Sequence, residues 1–317
     1  MALSDLAVFQ EYAQTSMTEL QDQAIQKFNA NSNGGIILTS LAHEGDFSQT
    51  AIWAKIAGLV RRRNAYGTGA VSALTMSQLV KASVKIAAGT PPVEVDPGML
   101  KWIQKSPEEA GVVIGQQMAE DSMADMLNTG LMAYVAGVGN QATNFHDYSA
   151  TGTCSLAVLS AGVSKFGDRS QDVVAWIMHS KSAFDIYGES LANSNRLFVF
   201  GTVRVVDDGF GRPIIITDSP ALTDTGPVYF QCGLASGGII VENGNEFTDN
   251  LETSNGDENI LRTYQAEWTY NLGIKGFTWD MGNGGASPND AALGTAGNWD
   301  MIATSHKDLG GVLVKTQ

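Results

Sequence analysis

An α+β fold is predicted for this chain by three observations. Residues 106–138 carry helix-start chemistry followed by apolar residues at helical spacing. From Thr151 onward, short helical and strand-like stretches alternate. Before both, an amphipathic helix leads into two extended arms around the polar run RRRNAYGTG.

The first helix is read from Ser4, a plausible N-cap, through Leu6, Phe9, Ala13, Met17, Leu20, Ala24 and Phe28. NANSNGG at 29–35 ends it by turn chemistry. Such a stripe must lie on something, either the rest of the chain or a neighbour. GIILTS then reads as a strand. Residues 45–88 read as a two-stranded excursion, too polar and too punctuated by glycine to form a core. TPPVEVDPG at 90–98 reads as a linker.

The clearest local signal follows. Ser106 stands as N-cap, Pro107 at the first helical position, and Glu109 completes a capping box. Met123, Leu127, Leu131, Tyr134 and Val138 then recur at helical steps, giving a rod of roughly 45 Å. Glycines at 111, 115, 130 and 137 predict close packing on one face, against a sheet. The stripe loses register between Met118 and Met123, which argues against a coiled coil. Beyond it, TCSLAVLSAGVSKFG reads as helix, DVVAWIMHS as strand and KSAFDIYGESLAN as helix. LFVFGTVRVVDDGFGRPIIITDSPAL reads as two strands around a glycine-rich turn, and PVYFQCGLASGGIIVEN as two short strands. DNLETSNGDENI reads as a polar turn, LRTYQAEWTYNLGIKGFTWDM as a long aromatic strand pair, and the tail as a short helix and a final strand.

Composition narrows the function. Charged residues are 16% of the chain, a thin charged surface compatible with coverage by copies of itself. The net charge of -14 argues against a sequence-specific DNA binder. The charge is uneven: within 45–89, Lys55, Arg61, Arg62, Arg63, Lys81 and Lys85 stand against Asp46 alone. The start carries acids where a secretion signal carries bases, and no apolar run is long enough to span a bilayer. Cys154 and Cys232 form no ligand pattern and read as reduced, buried thiols.

The order of four parts resembles the major capsid fold shared by tailed phages and herpesviruses. They are the basic excursion directly before the long helix, VVAWIMHSKSAFDIYGESL, VRVVDDGFGRPIIITDSPAL before PVYFQCGLASGGIIVEN, and the aromatic strand YQAEWTYNLGIKGFTWD before the tail SPNDAAL…NWDMIATSHKDLGGVLVKT. The resemblance runs from Ser4 to Thr316. It implies an N-terminal arm (1–44), an extended β-hairpin loop (45–88), a peripheral domain with a long spine helix (89–145 and 240–281) and an axial domain (146–239 and 282–317). It implies a non-enzymatic subunit that assembles with itself into hexamers and pentamers of an icosahedral head around double-stranded DNA. It further implies portal, scaffolding and decoration proteins as partners, non-specific contact with packaged DNA, no membrane, a virion location, and assembly in the host cytoplasm. No extra N-terminal stretch or inserted domain shows, so scaffolding is expected from a separate protein. Within this frame Arg61, Arg62, Arg63, Lys81 and Lys85 are the candidate inter-subunit contacts, because a basic loop is drawn to acidic copies. An encapsulin-like nanocompartment shell has the same fold and is the nearest alternative.

Site chemistry argues for no catalytic, cofactor or metal centre. His43, His146, His179 and His306 lack ligand spacing. Cys154 with His146 or His179 is a weaker reading than a buried thiol. No G-x-S-x-G elbow or phosphate-binding glycine loop appears, so a soluble hydrolase has no motif. Glu246, Asp249, Glu252, Asp257 and Glu258 do not match a calcium loop and read as a solvated turn.

Overall fold

A computed structural model describes residues 3–40, 45–56, 58–95, 97–188, 196–200, 203–207, 211–255 and 260–317. Along the chain, α1 (Leu3–Asn31) leads to β1 (Ile36–Ser40), β2 (Phe47–Trp53), β3 (Gln78–Gly89) and β4 (Val93–Glu94). Next come α2 (Pro97–Lys105), α3 (Pro107–Gly139), β5 (Phe145–Asp147), α4 (Leu156–Ser164), β6 (Val173–Met178) and α5 (Ser180–Gly188). After these stand β7 (Arg196–Phe200), β8 (Val203–Asp207), β9 (Pro213–Ile216), β10 (Thr223–Asp224), β11 (Val228–Ala235), β12 (Ile239–Ser254) and β13 (Leu261–Ile274). The chain closes with β14 (Phe277–Trp279), α6 (Asp290–Leu293), β15 (Trp299–Met301) and β16 (Gly311–Thr316).

Two large sheets divide these strands. One has the order β1-β12-β13-β3-β2, with β4 on β13; the other runs β5-β16-β11-β6-β9-β8-β7, with β10 on β11. The α+β prediction holds. The stripe of α1 buries Phe9, Ala13, Met17, Ala24 and Phe28. It lies along α3 of its own chain. Small residues allow this. A Cβ on Gly115 would stand 2.6 Å from the Ala13 carbonyl oxygen, and one on Gly111 would stand 2.6 Å from that of Phe9. A buried polar chain ties the pair to the first sheet: Asn243 Nδ2 donates to Gln21 Oε1, and Gln21 Nε2 donates to Ser122 Oγ at 2.8 Å.

Further along, α3 crosses from one sheet to the other. Tyr270 of β13 donates its hydroxyl to Asp125 at 2.8 Å and lies 3.0 Å from Thr129 Oγ1. Five residues of α3 beyond Thr129, the fully buried Tyr134 hydroxyl is shared between the carbonyls of Gly233 on β11 and Val312 on β16, at 3.0 and 3.2 Å. Gly311 has φ +148°, and a Cβ there would meet the Gly233 carbonyl oxygen at 2.0 Å.

Several local expectations are corrected. The helix α1 starts at Leu3, so Ser4 lies inside it, and the side chain of Leu6 lies outside the described residues. The Ser106 side chain caps nothing. Its N–H instead donates to the Trp102 carbonyl, because the unpredicted helix α2 runs directly into α3. The base of the excursion is core after all: Val84 and Ile86 are buried where β3 pairs with β13, and Ala82 is buried where β3 pairs with β2. The stretch read as two strands around a turn is three, β7, β8 and β9. The segment from Glu246 to Ser254 is not a turn but the second half of β12, paired along β13. The aromatic stretch is not one strand pair, since β13 stays in the first sheet while β14 pairs with β15. The tail contains the extra strand β15, and α4 starts after Cys154, capped by Ser155.

Gly115→Ala sets two effects against each other. Alanine favours a helix interior by about 1 kcal/mol over glycine. Here its methyl group meets backbone, and overpacking of this kind costs about 1–3 kcal/mol. We predict net destabilisation in urea unfolding, whereas Gly69→Ala, with nothing within 4 Å, stays within about 0.5 kcal/mol of the parent. A more stable Gly115→Ala protein would contradict the close crossing.

Candidate assembly interface

Strands β2 and β3 pair from Phe47↔Val84 to Trp53↔Gln78. Between them, 54–77 carries no regular structure among its described residues. Every residue from 58 to 78 is exposed. The segment is nevertheless apolar in part: Trp53, Leu59, Val60, Tyr66, Val71, Leu74 and Met76 all face solvent, Val60 at 93% and Tyr66 at 95%. Isolated exposed apolar residues are ordinary, but a row of them along one extended segment marks an interaction surface. Each arm of about 12 residues spans up to ~40 Å. A 317-residue domain has a radius of gyration of about 20 Å. The segment is therefore long enough to reach well beyond its own domain.

The five basic residues singled out in the sequence fall in two places. Arg61, Arg62 and Arg63 sit in the exposed segment, with no ion pair or hydrogen bond among the described residues. Lys81 and Lys85 lie on β3, on the strand face opposite Ala82, Val84 and Ile86. Lys85 Nζ pairs with Glu246 at 2.7 Å. Desolvation lowers the Lys81 ammonium from its ordinary value, against the opposing pull of Glu242. These two lysines thus meet acids of their own chain.

Dispersed charges hold the root of the loop. Lys55 Nζ stands 3.8 Å from Asp308, and its carbonyl accepts from Thr304 Oγ1 at 3.3 Å. Asp308 also pairs with Arg169, and beside it Lys307 pairs with Asp168. The hydrogen bond from Lys307 holds the Asp168 carboxyl below the usual carboxylate range. On the opposite arm, Ala82 N–H donates to Thr278 Oγ1 at 2.7 Å. Sequence reading missed this network because its members are ordinary surface charges far apart in the chain. The exposed apolar row was missed as well, because its members are spread among polar and glycine residues and the stretch reads as polar overall.

The remaining candidates sit apart. Burial pushes the Cys154 thiol up to about 12 and raises that of Cys232 as well, so neither is a thiolate nucleophile near neutral pH. His146 stacks on Tyr148, and His179 lies against Tyr229 and 3.4 Å from Asp218. His43 lies outside the described residues. Among the described residues no three His, Cys, Asp or Glu side chains converge as a metal site, and no helix is long and apolar enough to cross a membrane. Glu246 and Asp249 are held by Thr269 and Tyr264, and burial raises the Asp249 carboxyl. Asp257 and Glu258 lie outside the described residues.

Residues 5–313 match the family described as Gp13-like, major capsid protein 13-like. The encapsulin of the holo-SrpI complex from Synechococcus elongatus PCC 7942 is similar in fold, with a TM-score of 0.51, 9% identity, and coverage of 87% of this chain and 83% of that one. A capsid structure of Helicobacter pylori bacteriophage KHP30 gives 0.49 at 10% identity, covering 89% and 86%. The capsid asymmetric unit of cyanophage Pam1 gives 0.47 at 10% identity, covering 86% and 85%. No curated protein matches the chain in sequence.

The root network makes one prediction. Exposed ion pairs contribute up to about 1 kcal/mol. Asp308→Ala should therefore speed hydrogen exchange at the Ala54 amide, which is bonded to the Ser77 carbonyl, by up to about fivefold. An unchanged rate would show that the network does not hold the root.

Proposed function

The chain belongs to the Gp13-like family of major capsid proteins, and from that premise we propose that it builds its shell by passing the segment 54–77 onto a neighbouring copy. It is a phage capsid subunit, and its place is the virion. The observation that carries the proposal is the row of exposed apolar side chains from Trp53 to Met76, combined with three unpaired arginines. Among the described residues, no core of its own chain covers this surface. A neighbouring copy supplies both apolar cover and acidic charge.

In this reading the sheet containing β12, β13 and β3, with α1 and α3, is the peripheral domain. The sheet containing β6, β11 and β16 is the axial domain, and 45–88 is the extended loop. Subunits gather into hexamers and pentamers of a closed icosahedral shell around double-stranded DNA. Repeated contacts between unlike surfaces close such a shell when their rotation closes. The subunit has no catalytic role of its own. Its further partners are portal, scaffolding and decoration proteins, and packaged DNA touched without sequence preference. Assembly takes place in the host cytoplasm. An encapsulin-like shell shares the fold, but the family match favours the capsid reading.

The basic residues divide the labour. Arg61, Arg62 and Arg63 make the contact between copies. Lys81 and Lys85 lie at the root of the loop and support its exit angle through Glu242 and Glu246. Salt weakens attraction between exposed charges, with a screening length of about 8 Å at physiological ionic strength. Reversing Arg61, Arg62 and Arg63 to Glu should therefore lower shell yield and flatten its dependence on salt, read by sedimentation across a salt series. Equal yield and equal salt dependence would remove the loop from the interface.

A further inference from the structure

A groove of about 750 Å³ runs between the end of β3, the middle of α3 and the start of α6. Ile86 and Pro91 form one apolar wall, and Met118 forms part of the other. Asp121 and Asp125 on α3 face Asp290 on α6 across it. Among the described residues, no basic residue lines this groove. Trp268, 9% exposed, also lines it, and its indole N–H is buried without an acceptor. An unpaired buried donor costs about 1–3 kcal/mol and calls for a partner. Desolvation raises the Asp125 carboxyl from the ordinary range, the Tyr270 hydroxyl opposes this, and the nearby Asp290 adds to the rise. Asp125 and Asp290 thus repel each other in the isolated subunit.

The chain itself presents the complement. Arg61, Arg62 and Arg63 are exposed and unpaired, and Leu59 and Val60 beside them are 70% and 93% exposed. We propose that the groove is the receiving site for the Leu59–Arg63 stretch of a second copy. The guanidinium groups meet Asp121, Asp125 and Asp290, and the two apolar side chains lie against Ile86 and Met118. Arginine suits this role because its planar fork of donors matches carboxylate geometry. DNA is a poor occupant, since the lining charges are all acidic. The proposal rests on the reading that 54–77 reaches a neighbour, and adds where it lands.

Photo-crosslinking separates the two claims. Shells are assembled from a mixture of heavy-isotope and light-isotope full-length subunits carrying Ala65→p-benzoylphenylalanine, a change at an exposed position just outside the Leu59–Arg63 stretch. After irradiation, mass spectrometry maps the heavy-to-light crosslinks. Crosslinks to 86–91, 118–125 or 288–291 are the expected result. Crosslinks to another part of a second copy would overturn the groove and leave the loop contact standing. Crosslinks within one copy only, or none, would overturn both.

Charge exchange gives an independent readout. Asp121→Arg with Asp290→Arg should raise the concentration needed for assembly on the order of tenfold, the effect of about one lost hot-spot contact. Adding Arg61→Asp, Arg62→Asp and Arg63→Asp should bring it back toward the parent value. Equal assembly by the acid-reversed subunit, or no recovery by the combined variant despite native circular dichroism, would overturn the pairing.

Discussion

One helix has to serve two sheets, and the rest of the molecule follows from that constraint. The first half of α3 accepts α1 through Gly111 and Gly115. Its middle meets β12 and β13 at Gly130, where a Cβ would stand 2.9 Å from Ile239. Its last turns enter the second sheet, where the Tyr134 hydroxyl holds the Gly233 and Val312 carbonyls. Burial keeps that hydroxyl protonated far above its ordinary range, so it remains a donor. A buried phenol shared by two strands fixes the position of the helix in a way that apolar packing alone does not.

Both sheets pack on a common helix. Among the described residues, the longest row of exposed apolar side chains lies in the segment between β2 and β3. That segment has the reach to leave its own domain and the side chains to need another. Its root is tied by charges to the turn around Asp308, and its base is locked into the first sheet through Val84. A rigid base with an unsupported far end is a sensible division for a shell subunit. The base sets direction, and the far end gains its cover only from assembly. The acidic balance of the remaining chain favours that contact over self-association of two basic loops.

Much of this was legible in the sequence because long periodic elements declare themselves. The stripes of α1 and α3 were found from residues now seen buried, such as Phe9, Met17, Leu131 and Tyr134. The loop was legible from its basic and glycine-rich middle. Other features had no local signal. The helix α2 hides behind Pro91, Pro92 and Pro97, which read as a linker, although Pro97 stands in its first turn, where proline is tolerated. Ser106 had the right neighbours for a capping box but follows a helix whose carbonyl already takes its N–H. The second half of β12 is polar because one face is solvated, and alternation with charged residues looks like a turn until β13 is laid beside it. The groove of Asp121, Asp125, Asp290 and Trp268 joins three distant stretches of the chain, and only the fold brings them together.

The central claim is that 54–77 acquires its structure from a neighbouring copy. Hydrogen exchange of that segment, measured in dissociated subunits and in assembled shells of the same full-length chain, tests it most directly. The account predicts fast exchange throughout 58–77 in the free subunit and strong protection in the shell, while α3 is protected in both. Equal, fast exchange of the segment in both states would contradict it.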